Sequence, residues 1–120
     1  MAKILAVDDS HSMRQMVSFT LKSAGHEVVE AEDGLQGLAK ARAENFDVII
    51  SDVNMPNMDG LTMIAEVRKL PQCRFTPILM LTTEAGDNKK QAGRQAGATG
   101  WIVKPFNPEK LISVIQKVLS

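Results

Sequence analysis

The chain has 120 residues, enough for one domain with a real hydrophobic core. Hydrophobic residues make up 44% and charged residues 23%, and Lys plus Arg (14) balances Asp plus Glu (14), so no basic excess points to nucleic acid or a membrane surface. A single cysteine, Cys73, excludes an internal disulfide and fits a reducing cytoplasm; no apolar run is long enough to span a membrane, and the Met1-Ala2-Lys3 start predicts no signal peptide.

Lys3 to Val7 is a short apolar run that closes on Asp8-Asp9, the pattern of a buried strand with two carboxylates at its C-terminal end. Ser12-Met13-Arg14-Gln15 fits a capping box. The helix it opens is expected to bury Met13, Met16, Val17, Leu21 and Ala24, with Gly25 as its stop. Val28-Val29 lies in a short strand near an edge of the sheet. Asp33 with Gln36 caps the next helix, whose inner face is expected to be Leu35, Leu38 and Ala39.

Val48 to Ile50 reads as a buried strand that ends on Asp52. A loop rich in turn residues follows, with Asn54, Met55-Pro56, Asn57 and Asp59-Gly60. Gly60 leads a helix with Leu61, Ile64, Ala65 and Val67 inward, stopped by Pro71. A fourth strand, Ile78 to Leu81, ends on Thr82-Thr83. Asp87 to Ala96 predicts a helix that offers only Ala92 and Ala96 to the core and carries Lys89, Lys90 and Arg94; it should be weakly held. Trp101-Ile102-Val103 is a fifth strand ending on Lys104-Pro105, and Asn107-Pro108-Glu109 starts a last helix lined by Leu111, Val114, Ile115 and Val118.

Strand and helix alternate throughout, which predicts an α/β fold: a doubly wound five-stranded parallel sheet with helices on both faces. The strand ends then gather on one rim. Asp8, Asp9, Asp52, Thr82 and Lys104 all fall there, and the three carboxylates meet where the first and third strands are neighbours. Three carboxylates and one lysine leave an excess of negative charge, which one Mg2+ would neutralise; with no Cys or His cluster, the residues point away from zinc. A carboxylate in such a crevice can attack phosphorus, so Asp52 is the candidate nucleophile.

These residues and their order resemble the receiver domain of two-component response regulators, most closely the stand-alone regulators of chemotaxis. The resemblance covers residues 1–120 as one domain and implies the flavodoxin-like strand order 2-1-3-4-5. It implies that Asp52 is the phosphoacceptor, that Asp9, Asp52 and the Asn54 carbonyl bind Mg2+ directly and Asp8 through water, and that Lys104 pairs with the acceptor. It implies a cis Lys104-Pro105 bond. Thr82 and Trp101 are implied as the switch, Asn54 and Glu84 as tuners of phosphoryl lifetime, and the fourth helix, fifth strand and fifth helix as the docking face. Trp101 departs from the family's usual Tyr or Phe; a half-buried packing role is its other reading.

The implied partners are a sensor histidine kinase of the chemotaxis (CheA-like) type and a downstream protein target, with the flagellar motor switch as the leading choice. Lys90 and Arg94 on the docking face would suit an acidic segment of that target. A cytoplasmic monomer with no nucleic-acid partner is expected, one that catalyses only its own phosphorylation and dephosphorylation. The rival reading is a phosphatase of the haloacid dehalogenase type, whose nucleophile normally lies on the first strand in an Asp-x-Asp motif. A phosphate sink or a regulator outside chemotaxis is the other alternative.

Overall fold

The structure is a computed structural model that describes residues 2–83 and 87–120, with side chains omitted for 87–90. Its elements are β1 (Lys3–Val7), α1 (His11–Ser23), β2 (Glu27–Ala31), α2 (Gly34–Ala43), β3 (Val48–Asp52), α3 (Gly60–Val67), β4 (Ile78–Thr82), α4 (Asp87–Ala96), β5 (Gly100–Val103) and α5 (Pro108–Leu119). All four strand pairings are parallel, and the order is β2-β1-β3-β4-β5.

Alternation along the strands splits the core in two, because successive side chains leave opposite faces. Leu5, Val7, Ile49, Ile78 and Met80 pack on one side with Leu38, Ala41, Met63, Ile64 and Val67 of α2 and α3. Ile4, Ala6, Val48, Ile50, Leu79, Leu81 and Ile102 pack on the other with Val17, Leu21, Leu111 and Ile115 of α1 and α5. Both faces of the sheet are therefore covered, as the near-continuous apolar runs of the central strands require.

Helix ends follow local chemistry. Asp33 Oδ1 accepts from the Gln36 N–H at 2.8 Å, Asp59 Oδ1 from the Thr62 N–H at 2.7 Å, and Asn107 Oδ1 from the Glu109 N–H at 2.8 Å. Gly25, at φ 91°, takes the left-handed conformation that ends α1.

Three expectations about the helices are corrected. The cap of α1 is Ser10, whose hydroxyl accepts from the Met13 N–H at 3.3 Å; Ser12 lies inside the helix. Ser10, in an extended conformation, takes the capping role, so the helix starts two residues earlier than the capping-box pattern places it. Met16 is 51% exposed, while the polar residues Arg14, Ser18 and Thr20 are buried in α1. Leu35 is also 51% exposed and Ala39 is exposed, because α2 turns Gly34, Gly37, Leu38 and Ala41 inward. In both helices a small or polar residue lies against the sheet where the backbone comes close, and a larger apolar one is displaced outward.

Candidate functional site

Strands β1 and β3 are neighbours, and Val7 pairs with Ser51. Asp8 and Asp52 follow as the next residues on the same rim, at the point where the strand order reverses. Carboxylate oxygens of Asp8, Asp9 and Asp52 lie within 4.8 Å of one another. Asp8 is buried, Asp52 half-buried and Asp9 exposed, so the cluster grades from core to solvent. Lys104 reaches in from beyond β5, with Nζ 3.3 Å from Asp8 Oδ2 and 3.2 Å from Asp52 Oδ1. The Lys104-Pro105 bond is cis.

Backbone donors fix the two inner carboxylates. The Ser10 N–H donates to Asp8 Oδ1 at 2.9 Å, and the Val53 N–H donates to Asp52 Oδ1 at 2.8 Å. Burial raises the Asp52 pKa above the ordinary carboxylate value; the Lys104 charge opposes this, and the neighbouring Asp8 charge adds to it. Three carboxylates facing one ammonium leave the crevice net negative. The donor set is all hard oxygen with neither sulfur nor imidazole, and its spread suits a small divalent ion holding some ligands through water.

The loop after β3 is fastened on both sides. Gly60 donates its N–H to the Val53 carbonyl at 2.8 Å, and a Cβ there would stand 2.1 Å from the Asp52 carbonyl oxygen. Asn57, at φ 68°, donates through Nδ2 to Asp33 Oδ2 at 2.8 Å, tying the loop to the start of α2. Those two donors, the Gln36 N–H first and Asn57 second, hold the Asp33 pKa below its ordinary value. Asn54 stands exposed two residues past Asp52.

Thr82 is buried at the end of β4, one residue beyond the Asp52–Leu81 pair, so it sits on the same rim. Trp101 is half-buried against the α2/α3-side core, and the Arg94 guanidinium lies over its ring at 5.1 Å. Glu84 lies outside the described residues, as does the side chain of Lys90. Cys73 is buried, and burial pushes its thiol pKa up, which leaves it unreactive.

Sequence reading missed Arg14. It carries a charge on a helix face that otherwise packs on the sheet, yet it is 7% exposed and donates to the Asp8 carbonyl at 2.8 Å. Its signal was available as a charge inside the apolar period of α1. The Asn57–Asp33 bond was not legible, because it joins segments that only the fold brings together.

Sheet order, switch-point crevice and acidic donor set define a flavodoxin-like α/β signalling module of the receiver class. The chain belongs to the response regulator receiver domain family, which residues 4–116 match. It is 40% identical to chemotaxis protein CheY1 of Helicobacter pylori over 119 residues, covering 98% of this chain and 96% of that protein. Identity to the CheY homolog of Campylobacter jejuni is also 40%, covering 98% of this chain and 92% of that one. Among solved structures, Vibrio cholerae chemotaxis protein CheY4 superposes with a TM-score of 0.96 at 62% identity, covering 99% of both chains. The receiver domain of the Pseudomonas aeruginosa histidine kinase PA1611, described with a magnesium ion coordinated in its active-site cleft, gives a TM-score of 0.92 at 29% identity, covering 98% of this chain and 97% of that one. The chain is thus a phosphorelay signalling protein of the chemotaxis regulator type and not a classical enzyme. Among the described residues no helix is long and apolar enough to cross a membrane.

Proposed function

We propose that the chain is a receiver, residues 1–120 forming one domain, that takes a phosphoryl group onto Asp52 from a phosphohistidine of a CheA-like sensor histidine kinase. What supports this most is the meeting of Asp8, Asp9 and Asp52 within 4.8 Å, with Lys104 bound to two of them. An Asp52 carboxylate oxygen forms a bond to phosphorus as the P–N bond to the kinase imidazole breaks, and the imidazole leaves with the bonding pair. Lys104 favours the ionised carboxylate that this attack needs, against the larger effect of burial.

Asp9, Asp52 and the Asn54 carbonyl would hold Mg2+, with Asp8 acting through water. When bound, the ion compensates charge on the phosphoryl oxygens. Lys104 neutralises one of those oxygens, and the Thr82 hydroxyl donates to another. Once Thr82 turns toward the phosphoryl group, space opens for Trp101 to rotate inward, and the surface of α4, β5 and α5 changes shape. Lys90 and Arg94 would present positive charge to an acidic segment of a cytoplasmic target, with flagellar motor control as the output. Asn54 and Glu84, two residues past Asp52 and Thr82 in the sequence, would set the phosphoryl lifetime.

Acetyl phosphate with Mg2+ should change the fluorescence of Trp101, the sole tryptophan, and the change should vanish in Asp52→Asn. A full response in that variant would remove Asp52 from the reaction. Continuous turnover of varied phosphoesters would instead favour the phosphatase reading.

A further inference from the structure

Each carboxylate of the crevice except one is held by a partner of its own. Asp8 is bound by Ser10 and Lys104, and Asp52 by Val53 and Lys104. Among the described residues, the Asp9 carboxylate takes part in no side-chain hydrogen bond or ion pair. With no side-chain partner to hold it, its placement depends on the backbone that sets its Cα–Cβ bond.

We propose that Arg14 is a positioning residue for the metal: by holding the carbonyl oxygen of Asp8, it fixes the peptide that aims the Asp9 carboxylate into the crevice. This rests on the receiver reading above. The Asp8–Asp9 peptide is planar, so fixing its oxygen also fixes the N–Cα bond of Asp9. Arg14 Nη1 donates to that oxygen at 2.8 Å. On the other side, the Asp8 N–H donates to the Ala31 carbonyl at 3.1 Å. The peptide that follows Asp8 is thus held from α1 and the one that precedes it from β2, so the backbone is fixed on both sides of Asp8.

The guanidinium is itself immobilised at every nitrogen. Nε donates to Glu30 Oε1 at 3.1 Å, and Nη2 donates to His11 Nδ1 at 3.2 Å. Glu30 is steadied by Gln15 Nε2 at 3.2 Å. A rigid fork of this kind positions an acceptor in a way that a lysine's point donor does not. Burying a charge here carries a desolvation cost that an apolar residue between Met13 and Val17 would avoid. The gain on the other side is the aim of Asp9.

The test is Mg2+ affinity, read by calorimetry on the full chain, alongside thermal stability in chelator. Arg14→Met should weaken Mg2+ by about tenfold, the scale on which partners of metal ligands act. Its rate of phosphorylation by acetyl phosphate should fall at low Mg2+ and recover at saturation. In an Asp9→Asn background, adding Arg14→Met should weaken Mg2+ no further. Arg68→Met serves as the stability control: its guanidinium binds the Cys73 and Gly97 carbonyls at 2.6 and 3.0 Å, away from the crevice, so its loss should lower Tm and leave Mg2+ affinity unchanged. Should Arg14→Met not fold, Arg14→Lys is measured instead, with a loss of about threefold that again depends on Asp9. Wild-type affinity in the Arg14 variant, or a loss that simply adds to that of Asp9→Asn, overturns the inference alone. Absence of Mg2+ binding in the wild-type chain overturns the receiver reading and this inference together.

Discussion

The ammonium of Lys104 stands 3.2 Å from Oδ1 of Asp52, although β4 lies between the strands that carry them. The same ammonium also reaches Asp8, so one cation serves two largely buried carboxylates. Replacing it strands both. Lys104→Met should lose about 3 kcal/mol of stability in chelator, the scale on which removing one partner of a buried pair acts. Added Mg2+ should restore most of that, because an ion that binds only the folded chain stabilises it. The Trp101 fluorescence response to acetyl phosphate should not return. Urea unfolding with and without Mg2+ measures the first effect, and steady-state fluorescence the second. Parallel recovery of both would reduce Lys104 to a structural counter-charge.

Asp52 and Asp33 should affect acid stability with opposite signs. Burial raises the Asp52 pKa, so the folded chain holds this proton more tightly than the unfolded chain does. The group therefore costs stability as pH rises from the ordinary carboxylate value through its folded value, and the cost is full above that. Asp52→Asn should raise Tm by a few degrees at pH 7 in chelator, and the gain should fade toward pH 3. For Asp33, the Gln36 N–H and the Asn57 amide lower the pKa. Its contribution is fully present above the ordinary carboxylate value and is lost as pH falls through the folded one. Asp33→Ala should cost about 1 kcal/mol at pH 7, as the loss of a helix cap does, and much less in strong acid. Calorimetric scans of both variants across that range check the pair; equal pH slopes would contradict it.

Gly60 presses its backbone against the peptide that follows Asp52. A methyl there would stand 2.1 Å from the Asp52 carbonyl oxygen and 3.0 Å from the Val53 Cα, and no flexible side chain is available to yield. Gly60→Ala must move the Asp52–Val53 peptide, and with it the N–H that steadies the carboxylate. A destabilisation of about 2 kcal/mol or more is expected, together with slower phosphorylation at saturating Mg2+. An alanine variant with wild-type Tm and rate would show that the loop can shift freely.

The order of elements and the parallel, doubly wound class can be read from the residues alone. That information is local: apolar runs of strand length, caps such as Asp33 and Asn107, and stops such as Gly25 act over a few residues. It also picked out Asp8, Asp9, Asp52, Thr82 and Lys104 as strand ends on one rim, since parallel strands all end on the same side. Which strand ends touch depends on how the chain crosses over in space. The crossovers place β1 beside β3, and that adjacency turns three separate aspartates into one cluster. Packing in space likewise sets the orientation of each helix about its axis. Arg14 faces inward and Met16 outward because a carbonyl at the end of β1 must be satisfied from α1, a demand set by the fold and invisible in the helical period.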